Sequence, residues 1–81
     1  MRIVVLYFHT LRDVAGCSTE SVELPEGARV SDLLDALGAQ YPRLAELRPS
    51  LLVAQDLEYV SASATLRDGE EIALMPPVSG G

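Results

Sequence analysis

Apolar residues fall along this chain in two rhythms, and each predicts a different kind of element. Ile3-Val4-Val5-Leu6-Tyr7-Phe8 is an unbroken run rich in β-branched and aromatic types. It predicts a strand covered on both faces and central in its sheet. In Thr19-Glu20-Ser21-Val22-Glu23-Leu24 polar positions interleave with Val22 and Leu24, the pattern of a half-exposed strand, which Pro25-Glu26-Gly27 then breaks. The second rhythm is helical. Val30, Leu33, Leu34, Leu37 and Tyr41 line one face of an amphipathic helix that Pro42 closes. Asp32 and Asp35 lie in its first turns, where the helix dipole favours negative charge. Ser31 is one candidate cap; an uncapped start at Val30 fits the stripe equally well.

The remaining segments are shorter. Residues 9–15 predict a helical turn with Leu11, Val14 and Ala15 inward and Gly16 ending it in the left-handed region. Leu44, Leu47 and Leu51 can pin a second helical piece, limited by Pro49. Residues 51–55 read as a strand, Asp56-Leu57 as a weak turn, 58–60 as a short strand and 61–65 as a loop of small residues. Asp68-Gly69 is a strong turn pair before a last strand over 71–75. Gly38 inside the main helix costs about 1 kcal/mol against alanine and suits close packing against some neighbour.

Strand, strand, helix, then strands returning to the sheet centre is an α+β layout: a ubiquitin-like β-grasp, with a mixed sheet packed on one main helix. Residues 1–75 are expected to form the domain and 76–81 a flexible C-terminal tail. A single helix layer leaves the other sheet face open. Some of Val4, Leu6, Phe8, Tyr59 and Met75 then form an apolar patch of the kind that marks a protein interface. The alternative is that the segment around Leu44 and Leu47 covers that face.

Composition narrows the function. Eighty-one residues allow one domain with a thin core and little room for a deep substrate pocket. That favours a carrier or binding module over a self-contained enzyme. A net charge of −6 argues against nucleic acid and anionic membranes and is compatible with a basic docking partner. All six cationic side chains are arginine. A guanidinium cannot capture an activated acyl group as a lysine amine would, although an arginine-rich genome explains the same bias. Cys17 stands alone, which rules out an internal disulfide and any multi-cysteine metal site. The apolar run at 3–8 is too short for a signal core or a membrane span, so the chain reads as cytoplasmic.

Ordinary active-site chemistry finds little here. Glu70 and Glu71 are strand neighbours that point to opposite faces and read as a solvated turn. His9 has no partner at a recognisable spacing. Cys17 reads as a plain thiol, and the glycines form no phosphate loop. The chemistry concentrates at Pro76-Pro77-Val78-Ser79-Gly80-Gly81. Two prolines favour an extended arm, and two glycines present no Cβ, so the last carbonyl can enter a narrow channel. Six extended residues reach roughly 20 Å. Chance, end fraying or an expression remnant would leave the same letters. A terminal carboxylate is ionised at neutral pH and a poor electrophile, so it needs activation, most simply as an acyl-adenylate made by another protein.

The residues resemble a known family. "LRDGEEIALMPPVSGG" carries most of the resemblance to the small subunits of molybdopterin synthase. "RVSDLLDALGAQYP" looks like that family's long helix, and "IVVLYFHTLRDVAG" like its first strand and short helix. Asp56-Leu57 departs from the Asn-containing turn that relatives often carry.

The resemblance implies a sulfur carrier that binds no cofactor or metal and is not an enzyme on its own. An E1-like adenylyltransferase would use ATP on Gly81, and a sulfurtransferase or cysteine desulfurase system would convert it to a thiocarboxylate. Pro76, Pro77, Val78, Ser79 and Gly80 would thread into the large synthase subunit. There sulfur would pass to cyclic pyranopterin monophosphate to build the dithiolene, within a heterotetramer. Phe8, Tyr59 and Met75 would contact that large subunit. Sibling carriers for thiamin, cysteine and tRNA thiolation share the fold and the Gly-Gly. The Pro-Pro-Val-Ser ending favours molybdopterin. A ubiquitin-like protein modifier and an interaction domain with an inert tail are the other readings.

Overall fold

The alternating strands and the helical stripe fold into a five-stranded mixed sheet backed by helices on one face. The computed structural model describes residues 1–77. In chain order the elements are β1 (Arg2–Tyr7), α1 (Leu11–Ala15), β2 (Thr19–Glu23), α2 (Val30–Gln40), α3 (Pro42–Leu47), a 3-10 turn (Arg48–Ser50), β3 (Leu52–Gln55), β4 (Glu58–Tyr59) and β5 (Glu71–Met75). The strand order is β2-β1-β5-β3-β4. β5 runs parallel to β1 and antiparallel to β3, so the last strand fills the centre. This is the ubiquitin-like β-grasp.

Side chains alternate across the pleat and divide the sheet into two unlike faces. Ile3, Val5 and Tyr7 of β1, Val53 of β3, and Ile72 and Leu74 of β5 point inward and are buried. Val30, Leu33, Leu34 and Leu37 of α2 meet them, as the stripe predicts. Each such side chain stabilises by about 1.5–3 kcal/mol relative to exposure. The run at 3–8 is thus covered on one face only. Its intervening residues Val4, Leu6 and Phe8 stay half-exposed, which corrects the expectation of a strand buried on both sides. The segment around Leu44 and Leu47 does not cover them. Leu44 is buried in the core on the helix side, and α3 packs on α2.

Close packing of α3 explains Gly38. A Cβ built at Gly38 would lie 3.2 Å from the Ala45 Cβ. Glycine therefore lets the two helices approach at the Tyr41-Pro42 corner, where Pro42 takes the first position of α3.

Helix α2 starts at Val30 with no side-chain cap from the residue before it, the second of the two sequence expectations. Arg29 occupies the cap position, and its N–H donates to the Asp32 carboxylate at 2.8 Å. The Val30 and Ser31 N–H groups donate to the carbonyls of Ala64 and Ala62, both at 2.9 Å. The small-residue loop 61–65 thus satisfies amides that a helix start leaves without partners. Ser31 is not the cap.

A polar clasp joins β2 to the end of α2. The Glu20 carboxylate accepts from the Tyr7 hydroxyl at 2.6 Å, from the Tyr41 hydroxyl at 2.9 Å and from Gln40 Nε2 at 3.2 Å. The two phenol rings meet edge to face at 6.4 Å. Burial, then the Glu20 hydrogen bond, pushes Tyr7 well above the ordinary phenol range. The same causes in the same order push Tyr41 up to about 12.

Candidate docking face and tail base

Four strands place a row of small and apolar side chains on the face that no helix covers. Leu6 pairs with Ala73, Ala73 with Ala54, and Ala54 with Tyr59. Tyr59 is 68% exposed at the sheet edge. A second row lies nearer the tail, where Met75 pairs with Leu52 and the Phe8 N–H donates to the Leu74 carbonyl at 3.1 Å. The structure thus brings Phe8, Tyr59 and Met75 to one face, Phe8 and Met75 beside the tail base and Tyr59 across the sheet. Val4, Leu6, Leu52, Ala54 and Ala73 share the face. Leu52, Ala54 and Ala73 were not singled out from sequence. The alternation in 52–55 and 71–75 carries the signal that finds them once the strands are paired.

Met75 is the last strand residue, and Pro76 and Pro77 follow it. Neither proline has an N–H to donate, so the ladder stops there. Beside this point the Arg12 guanidinium lies 6.0 Å from the centre of the Phe8 ring, and its Nε donates to the Tyr7 carbonyl at 3.2 Å. Val78, Ser79, Gly80 and Gly81, which carry the expected chemistry, lie outside the described residues.

At the other end of the face, Val4, Leu6, Ala54, Leu57 and Ala73 line a shallow groove together with Asp56, Glu70 and Glu71. The β3–β4 turn forms one lip. Asp56 and Leu57 both adopt left-handed φ, 51° and 65°, between the paired residues Gln55 and Glu58. A two-residue turn of this shape matches the sheet twist and favours Asn-Gly or Asp-Gly. Leucine in this conformation costs about 1–2 kcal/mol, and Leu57 is fully exposed at 103%.

Several contacts hold the turn. The Arg67 guanidinium meets the Asp56 carboxylate at 2.6 Å. Gln55 Nε2 donates to Glu70 Oε1 at 2.9 Å and to the Thr65 carbonyl at 3.0 Å. The Arg67 N–H also donates to Glu70 Oε1, at 2.6 Å. Glu70 is therefore a half-buried knot, which corrects its reading as part of a solvated turn. Glu71 points to the open face, is exposed, and pairs with no cation among the described residues.

The other sequence candidates stay apart from this face's groove. His9 is exposed at a left-handed φ of 54°. Cys17 is a half-buried free thiol packed against the core.

The ThiS family model matches residues 5–81. The chain is 41% identical to a molybdopterin synthase sulfur carrier subunit from Chlamydomonas reinhardtii, over the full length of both. A structure described as subunit 1 of a molybdopterin converting factor from Pyrococcus furiosus superposes with a TM-score of 0.87 at 32% identity, covering 96% of this chain and 99% of that one. Small archaeal modifier protein 1 from H. volcanii superposes with a TM-score of 0.82 at 30% identity, covering 95% and 98% of the two chains.

Proposed function

Because the chain belongs to the ThiS family, we propose that it is the sulfur-carrying small subunit of a molybdopterin synthase and that Gly81 is the atom-transfer site. The observation that carries this reading is the full-length similarity to a molybdopterin synthase sulfur carrier subunit. An open apolar face beside the base of the tail supports it.

In this reading the chain supplies the sulfur and a docking surface, and no acid–base machinery. An E1-like adenylyltransferase lets the Gly81 carboxylate attack the α-phosphorus of ATP, and pyrophosphate leaves. Sulfide delivered by a sulfurtransferase or cysteine desulfurase system then displaces AMP, leaving a thiocarboxylate. The body docks through Phe8, Tyr59 and Met75 on the large synthase subunit, one small subunit at each end of a large-subunit dimer, in the cytoplasm. Pro76 and Pro77 fix the direction of the arm. Val78, Ser79 and Gly80 thread the channel, where any larger side chain in place of Gly80 would obstruct the passage. Sulfur passes to cyclic pyranopterin monophosphate, and water returns an oxygen to Gly81.

Intact mass of the protein from its native host tests the reading. The expected result is a fraction heavier by one oxygen-to-sulfur exchange localised to Gly81. Deleting Gly81 is expected to abolish sulfur transfer to the pterin while leaving the melting temperature unchanged. Transfer by the truncated chain would reject the assignment.

The likeness to small archaeal modifier protein 1 favours a second reading, attachment of Gly81 to lysines of other proteins. Isopeptide-linked adducts that vanish on deletion of Gly81 would support it. Transfer of sulfur to a thiamin, cysteine or tRNA precursor in place of the pterin would redirect the carrier to a sibling pathway.

A further inference from the structure

The groove end of the open face lies about 13 Å from the tail base, four residues along β5. Phe8, Met75 and, across the sheet, Tyr59 offer apolar contact, which sets a partner's rotation less sharply than a charge pair, and a partner that threads the tail needs that rotation fixed. Two features at the far end can fix it. Leu57 stands fully exposed on a turn whose backbone suits asparagine or glycine better. Glu71 sits on the central strand of the same face with no cation beside it among the described residues, while the nearby Arg67 pairs with Asp56 and lies against Glu70. Folding explains neither residue, since the first works against the turn and the second is left unpaired.

We propose that Leu57 and Glu71 form a second docking point, which sets the direction in which this chain sits on its partner. The partner's facing surface carries an apolar recess for Leu57 beside an arginine or lysine for Glu71. The inference rests on the reading of the open face as the surface that meets the large synthase subunit, and it names the chemistry of that meeting. Charge selects the occupant. A second copy stacked on this face would bring Asp56, Glu70 and Glu71 near another acidic rim, and the net charge of −6 disfavours nucleic acid and anionic lipid.

The test is titration of the full chain against the recombinant large subunit of molybdopterin synthase from the same organism, at low and high salt. Leu57→Asn is expected to raise the melting temperature while weakening binding about tenfold at both salts. A purely structural role would not move these two readouts in opposite directions. Glu71→Gln is expected to weaken binding several-fold at low salt, with the difference closing at high salt. Tyr59→Ala is the comparator for the face as a whole. If Tyr59→Ala weakens binding and either Leu57→Asn or Glu71→Gln binds like the unmodified chain, the second docking point is overturned and the face stands. If the unmodified chain does not bind the large subunit, both readings are overturned.

Discussion

Gly38 decides how closely α3 lies on α2. A methyl group there would meet the Ala45 Cβ at 3.2 Å, tight but partly relieved by the gain in helix propensity. A branched side chain has no such margin. Gly38→Val is expected to destabilise by about 1–3 kcal/mol, read as a shift in the urea midpoint with an unchanged slope. Leu57 presents the opposite case, a residue whose backbone cost is visible and whose side chain touches little. Leu57→Asn is expected to stabilise by roughly 1 kcal/mol, because asparagine tolerates the left-handed region. A lower melting temperature for this variant would show that Leu57 packs within the fold.

Among the elements, α2 was the most legible from sequence, because its four buried residues recur with the helix period. β1 was legible as an unbroken apolar run, β2 by alternation, and the Asp68-Gly69 turn by its residue types. What held these elements together was not. The amides of α2 are met by carbonyls more than thirty positions away in a loop with no marked sequence signal. Glu20 looked like any exposed strand residue until folding brought Tyr7 and Tyr41 to it. Contacts of this kind depend on approach in space, which periodicity does not encode. The docking face was half-legible. The uncovered face followed from counting layers, but Leu57 and Glu71 gained meaning only once the strands were paired.

Asp32→Ala removes the acceptor of the Arg29 N–H and is expected to cost about 1 kcal/mol, measured by thermal melting. The clasp should make the fold sensitive to alkali. Tyr41 holds its proton up to about 12 in the folded chain against an ordinary value of 10.0, and Tyr7 is shifted in the same direction. The unfolded chain therefore binds fewer protons in this window. The clasp's contribution to stability is fully present below pH 10 and is lost as the pH rises from there through about 12. Because the chain has no lysine, no ammonium side chain titrates across the same range. Denaturant melts between these limits are expected to show a steep decline that Tyr41→Phe flattens.

For the molecule as a whole, the division of the sheet into a packed face and an open one separates stability from recognition. Tyr59→Ala and Met75→Ala are expected to weaken docking with little effect on the urea midpoint, whereas Leu33→Ala is expected to cost about 2–5 kcal/mol in stability. The position of β5 has a separate bearing on biosynthesis. It lies between β1 and β3, yet among the described residues it is the last strand to leave the ribosome. Neither half of the sheet can close around it beforehand, and such long-range pairing makes folding slow. A nascent chain interrupted before Glu71 keeps two strand edges open and is exposed to degradation. Translation thus sets the order of events. The body becomes able to hold a partner only after the ribosome has reached the residues from which the tail departs, so a docking-competent chain that stops short of β5 should not accumulate.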